Sequence, residues 1–102
     1  MNVSETARSM ANRLRTTIRA ERVWLFGSQA RGDAGIDSDI DLLVVVPDSP
    51  VSRYQRAVAA RRELSIFNAP MDIVVMTHDE WENDLKAPCS LASTVSREGI
   101  LI

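Results

Sequence analysis

The sequence predicts an α/β (α+β) fold, a small mixed sheet flanked by helices. Three observations predict it. Short runs of β-branched and aromatic residues, RVWLFG at 22–27, IDLLVVV at 40–46 and PMDIVVMT at 70–77, alternate with stretches of helical periodicity. The run at 40–46 is apolar on both alternating faces once past Asp41, the pattern of a strand covered on both sides. With 102 residues, 45% of them hydrophobic and 25% charged, the chain has the length of one domain, residues 1–102, and the composition of a folded one.

Ser4 is a plausible N-cap. After it Ala7, Met10, Ala11, Leu14 and Ile18 recur at helical spacing with arginines between them, predicting an amphipathic first helix. A short strand follows at 22–27 and stops at a glycine. The strand at 40–46 is ended by Pro47 and Pro50, and residues 52–68 place Ala57, Ala60, Leu64 and Phe67 on one face of a second helix. The third strand, 70–77, starts after a proline. Thr77 and Glu80 have the form of a capping box, which introduces a short helix that Pro88 terminates. A last helix at 89–98 ends at Gly99, leaving ILI as an edge strand or apolar tail.

A formal net charge of -2 argues against a general nucleic-acid binder, because such affinity comes from neutralising phosphates with Lys and Arg. No run of apolar residues is long enough to span a membrane. Cys89 stands alone, without ligands at zinc spacing, which suits a structural thiol in a reducing compartment such as the cytoplasm. His78 reads as a capping or exposed residue, Trp24 and Trp81 as packing residues, and Arg53, Arg56, Arg61 and Arg62 as a solvated helix face. Asp33, Asp37 and Asp48 read as turn residues.

The unusual chemistry sits in GSQARGDAGIDSDID, residues 27–41. A strand, helix, strand crossover makes 40–46 and 70–77 parallel, so Asp41 and Asp72 lie at one end of the sheet. Asp39 and Asp41, two apart, face the same side. Gly27 reaches the same end if its strand runs antiparallel to 40–46. Three carboxylates so placed repel one another, and a divalent cation relieves that repulsion. Mg²⁺ takes one or two carboxylates together with substrate phosphates, so Asp39, Asp41 and Asp72 suit a site for phosphoryl transfer with two ions. Gly27 lets a phosphate approach the backbone, and the Ser28 hydroxyl and the amides after it can donate to phosphate oxygens. Arg31 reads equally as a phosphate contact and as the partner of a nearby Asp. No Lys-Ser or Lys-Thr follows the glycines, so this is not a P-loop.

Gly27-Ser28, ten residues, then Asp39-Ile40-Asp41 resembles the signature of the DNA polymerase beta-type nucleotidyltransferase superfamily. The longer string GSQARGDAGIDSDIDLLVV, with Asp72 in MDIVV, is similar to its minimal nucleotidyltransferase (MNT) branch. The pattern of named residues alone arises by chance in roughly one chain in a thousand of this size. The resemblance implies a polymerase beta-like fold and a role for each residue. Asp39 and Asp41 would ligate the two Mg²⁺ ions, Asp72 would share one and help deprotonate the acceptor, and Gly27 and Ser28 would hold the β and γ phosphates of ATP. Members of this branch commonly pair with HEPN-domain ribonuclease toxins as their antitoxins, and some transfer AMP to a tyrosine of the toxin. The implied function is therefore an antitoxin that transfers AMP from ATP to a HEPN partner. The alternatives are a small-molecule nucleotidyltransferase of the antibiotic-modifying kind and an antitoxin that binds without catalysis.

Overall fold

The computed structural model describes residues 3–32 and 39–102. Asp33 and Asp37, expected in turns, lie outside the described residues. The elements run α1 (Glu5–Thr17), β1 (Arg22–Phe26), α2 (Ser28–Arg31), β2 (Ile40–Val46), α3 (Arg53–Glu63), β3 (Met71–Thr77), α4 (His78–Leu85), α5 (Leu91–Glu98) and β4 (Ile100–Leu101). The sheet order is β3-β2-β1-β4. β1 pairs antiparallel with β2 and β4, while β2 and β3 are parallel. The sheet is mixed, as the sequence predicts, and β2 lies inside it.

The strand alternation sorts side chains onto two faces. Val23, Leu25, Leu42, Val44, Ile73 and Val75 pack with α1 and with Ala60 and Leu64 from α3 and its end. On the other face Leu43, Val45 and Met76 meet Trp81 of α4 and Ala92 and Val95 of α5. This second layer also holds the indole of Trp24 stacked on that of Trp81, centroids 5.8 Å apart and planes 22° from parallel. Both tryptophans are therefore packing residues, as expected. Among the described residues no helix is long and apolar enough to cross a membrane.

Helix starts follow the sequence closely. Ser4 accepts from the Ala7 amide, Ser52 and Gln55 form a reciprocal capping box, and Thr77 and Glu80 form another. α3 is shorter than the periodicity predicts. It ends at Glu63, and two tight turns, Ser65 N to Arg62 O and Phe67 N to Leu64 O, swing Phe67 back onto the core.

Two expectations are corrected. Arg56 is not on a solvated face: it is 7% exposed, and its Nη2 donates to both carboxylate oxygens of Glu80 at 2.9 Å. Helical spacing turns it inward while the exposed Arg53, Arg61 and Arg62 lie outward. Cys89 is exposed rather than structurally buried, in the loop after Pro88 and with a left-handed φ of 64°.

The pair with Arg56 is the main electrostatic tie between α3 and α4. Burial pushes the Glu80 carboxyl up, but the Thr77 amide, the Arg56 hydrogen bonds and the charges of Arg56 and Arg53 outweigh it and hold the group below the ordinary glutamate range. A carboxyl depressed in the fold stabilises above its unfolded pKa and loses that contribution as pH falls through the folded one. Glu80→Gln should therefore flatten the acid limb of a stability profile below about pH 4.3, read by urea denaturation. Arg56→Ala should cost about 1–3 kcal/mol at neutral pH, less than a fully buried pair because Glu80 is half-exposed.

Candidate active site

The candidate residues come from three consecutive strands. The register sets Phe26 of β1 opposite Asp41 of β2, and Asp41 beside Asp72 of β3. Gly27 follows Phe26 directly, so the Gly-Ser corner and two carboxylates reach one end of the sheet. Asp39 immediately precedes β2 and is exposed, as is Asp72. Because Asp41 alternates with Leu43 and Asp72 with Val74, both point to the face that α4 and α5 cover in part.

Gly27 has φ 72° and ψ -154°, which an L side chain rarely adopts. Space excludes a side chain as well: a Cβ placed there would lie 2.1 Å from Asp41 Oδ2. The glycine thus brings the backbone against the carboxylate. From this corner the single turn of α2 begins, closed by bonds from Arg31 N to Gly27 O (3.1 Å) and Gly32 N to Ser28 O (3.0 Å). Gly32 ends it in the left-handed region, φ 83°. The first amides of a helical turn have no acceptor inside that turn and face outward along it. Ala30 is buried in the core and fixes the turn against the sheet.

Asp41 is the centre of the charge distribution. Burial first, then the charges of Asp72 and Asp39, raise its carboxyl above the ordinary aspartate range, and Arg31 works the other way. The four charged residues singled out in the sequence are thus close enough to feel one another. Among the described residues, however, no three Asp, Glu, His or Cys side chains close tightly enough to hold a metal ion unaided. The donor set nevertheless fits Mg²⁺, being all hard oxygen around a carboxylate that needs a countercharge, with phosphate or water left to complete the shell.

A cavity of about 110 Å³ adjoins Gly27, between Phe26 and Arg31 on one side and Leu91, Thr94, Val95 and Glu98 of α5 on the other. Sequence reading missed this wall, because its residues are ordinary helix positions until β4 returns α5 to the side of β1. His78, at the start of α4, is half-exposed, facing Glu21 and Glu82 at 3.7 and 3.9 Å, apart from the aspartates in sequence and role.

A mixed sheet carrying a Gly-Ser corner beside paired aspartates defines a nucleotidyltransferase-type fold. The model of the nucleotidyltransferase domain family matches residues 7–102, and the chain belongs to that family. A relative from Methanocaldococcus jannaschii, named "Putative protein adenylyltransferase MJ0141", is 33% identical over 57 residues. The match spans 56% of this chain and 56% of that relative, so just over half of its length. Among solved structures, one of a toxin-antitoxin with AMP-PNP aligns over 93% of this chain and 70% of its own, with a TM-score of 0.60 at 21% identity. A mutant form of the toxin-antitoxin MntA-HpeT aligns over 99% and 72%, with a TM-score of 0.59 at 21% identity. These likenesses show that the fold is the polymerase beta-like one expected.

Two outcomes check the geometry. Gly27→Ala should destabilise by about 1–3 kcal/mol, since it combines a positive φ with displacement of Asp41. Asp41→Asn should raise the melting temperature of the cation-free protein, because it removes the central member of three like charges. A lower melting temperature for Asp41→Asn would show that the carboxylates are not in conflict.

Proposed function

We propose that this chain is the antitoxin of a toxin-antitoxin pair and acts as a Mg²⁺-dependent nucleotidyltransferase, moving AMP from ATP to a hydroxyl, most simply a tyrosine, of a HEPN-type ribonuclease toxin. The observation that carries the reading is the Phe26↔Asp41 and Asp41↔Asp72 register, which puts the Gly-Ser corner and the acidic residues at one sheet end. The name of the M. jannaschii relative supports protein adenylylation, and the two toxin-antitoxin structures, one holding AMP-PNP, support the partner and the nucleotide.

The chain's own residues divide the work. Gly27 admits the terminal phosphates against the backbone, and the Ser28 hydroxyl and the amides of α2 donate to their oxygens. Arg31, whose charge already reaches Asp41, adds positive potential on the same side. Asp39, Asp41 and Asp72 would hold Mg²⁺, which when bound screens the phosphate charge and stabilises the entering and leaving oxygens. Asp72 would accept the proton of the incoming hydroxyl, a role its exposure on the edge strand supports. The hydroxyl oxygen bonds to the α-phosphorus in line, the α–β anhydride bond breaks, and pyrophosphate leaves with that electron pair. Nothing among the described residues walls off the Asp72 side, which favours a macromolecular acceptor over an enclosed small molecule.

Incubation with Mg²⁺, ATP labelled at the α-phosphate, and the candidate toxin tests this. Label should appear on a toxin tyrosine, and Asp39→Asn or Asp41→Asn should lower the rate by at least about 100-fold while leaving toxin binding intact. Label on a small hydroxyl compound instead would make the chain a small-molecule transferase. Neutralisation without any label would make it a binding antitoxin. Transfer undiminished in Asp41→Asn would sink the site assignment.

A further inference from the structure

Two depressions meet across α3, on the side of the sheet away from Asp41. One is a cavity of about 150 Å³ walled by Ile18, Val46, Val75 and the β2–α3 loop, with Arg56, Asp48 and Ser49 as its polar members. The other is a shallower groove of about 450 Å³ along the outside of α3, bounded by Tyr54, Val58 and Arg62. Val51 and Ala59 border both, so the two form one surface. Both are larger than the space beside Gly27, and neither is lined by Asp39, Asp41 or Asp72.

Three features say what this surface takes. A cavity of about 150 Å³ is the size that holds one benzene-like group, hence one apolar side chain. The groove beside it is bordered by two exposed hydrophobics: Tyr54 is 77% exposed and Val51 43%, two of the five large apolar side chains left exposed among the described residues. Solitary exposed apolar residues are ordinary, but two at the start of one short helix, in line with Val58 and next to a mainly apolar cavity, form a patch.

The third feature is charge. Of the chain's 12 Lys and Arg residues, 8 fall in segments 4–19 and 52–66, against two acids there, Glu5 and Glu63. Segment 78–98 reverses the balance, with five acids against Lys86 and Arg97. The net charge of -2 therefore conceals a molecule polarised across its sheet, basic on the α1–α3 side. Some of that charge is satisfied internally, Arg56 on Glu80 and Arg13 on Glu63. Arg53, which also reaches Glu80 at 4.0 Å, Arg61, which donates to the Met71 carbonyl at 2.8 Å, and Arg62 remain exposed along α3.

We propose that the α3 surface is a docking site for a protein partner that seats one apolar side chain in the Ile18–Val46–Val75 cavity and sets carboxylates against Arg53 and Arg62. A nucleic-acid backbone uses the arginines but not the apolar cavity, and a second copy of this chain docking by the same face brings the same positive excess to the contact. The partner's identity as the toxin rests on the function proposed above; the surface does not. Because it lies across the sheet from Asp41, holding the partner and modifying it are separate tasks of separate faces.

Titration calorimetry at physiological ionic strength, with the toxin as probe and the full chain as titrant, tests the proposal. Tyr54→Glu with Arg62→Glu, both exposed and outside the nucleotide machinery, should weaken toxin binding by about 30-fold or more, the effect of a hot spot. The thermal shift given by Mg²⁺ and ATP should be unchanged in the same variant. Arg8→Glu with Arg15→Glu, the same reversal on α1, should weaken binding far less. Equal losses in the two variants would reduce the surface to a diffuse field, and wild-type affinity in the Tyr54–Arg62 variant would overturn it; in either case continued labelling of the toxin leaves the transferase reading intact. A toxin that neither binds nor is labelled would refute that reading first, and a random-sequence DNA duplex binding in its place would make the face a nucleic-acid surface.

Discussion

The carboxylate of Asp41 lies where a side chain at position 27 would have to be. That single exclusion organises one end of the molecule. It requires glycine, and glycine in turn allows the positive φ that turns the chain out of β1 and into α2. The contact exists only because Phe26 and Asp41 are opposed across the antiparallel pair. A shift of one residue would turn Asp41 to the other face, among Leu42 and Val44, and bury a charge in the core of α1 and α3. The hydrophobic register of β1 and β2 therefore sets the polar geometry: Val23, Leu25, Leu42 and Val44 cannot be repacked without losing the corner.

The site is held in conflict by its own fold. Burial and two neighbouring carboxylates disfavour the charged form of Asp41, with Arg31 offsetting them in part. Strain of this kind persists where the surrounding structure determines it, and here the determinants are extensive: seven paired positions between β2 and β3, and a β2 buried at nearly every residue. The opposite end of the same strands is tied differently. Arg56 crosses to Glu80, whose carboxylate also caps α4 through the Thr77 amide, so one side chain joins a helix from each layer at the sheet's end.

Much of this was legible in the sequence. β2 and β3 stand where their apolar runs predict, because a strand covered on both faces leaves an almost continuous apolar signal. The N-cap at Ser4 and the capping boxes at Ser52 and Thr77 start helices by local hydrogen bonds, which local sequence encodes. The common end of Asp41 and Asp72 followed from the crossover length alone. What the sequence concealed depended on distant contacts. Arg56 belongs to a run of arginines, and only the arrival of α4, 24 residues later at Glu80, makes it the buried one. The wall opposite Gly27 needs α5 to return beside β1, and the two-residue β4 that brings it there is too short to carry a periodic signal. The end of α3 depends on Phe67 reaching the core, a tertiary pull that outweighs helical spacing.

The looseness of the acidic group also bears on how the proposed reaction is ordered. A preformed cage of three carboxylates would bind a divalent ion whether or not nucleotide were present. Here the described residues do not close such a cage, and Gly27 lets the Asp41 carboxylate lie against the backbone at the corner where the proposed reaction brings phosphate oxygens. In the proposed reaction each ligand completes the other's shell, so their affinities are linked: whatever factor ATP adds to Mg²⁺ binding, Mg²⁺ adds to ATP binding. An exposed edge at Asp72 is then no defect of the proposed site, since the acceptor would meet a centre already assembled by nucleotide and cation.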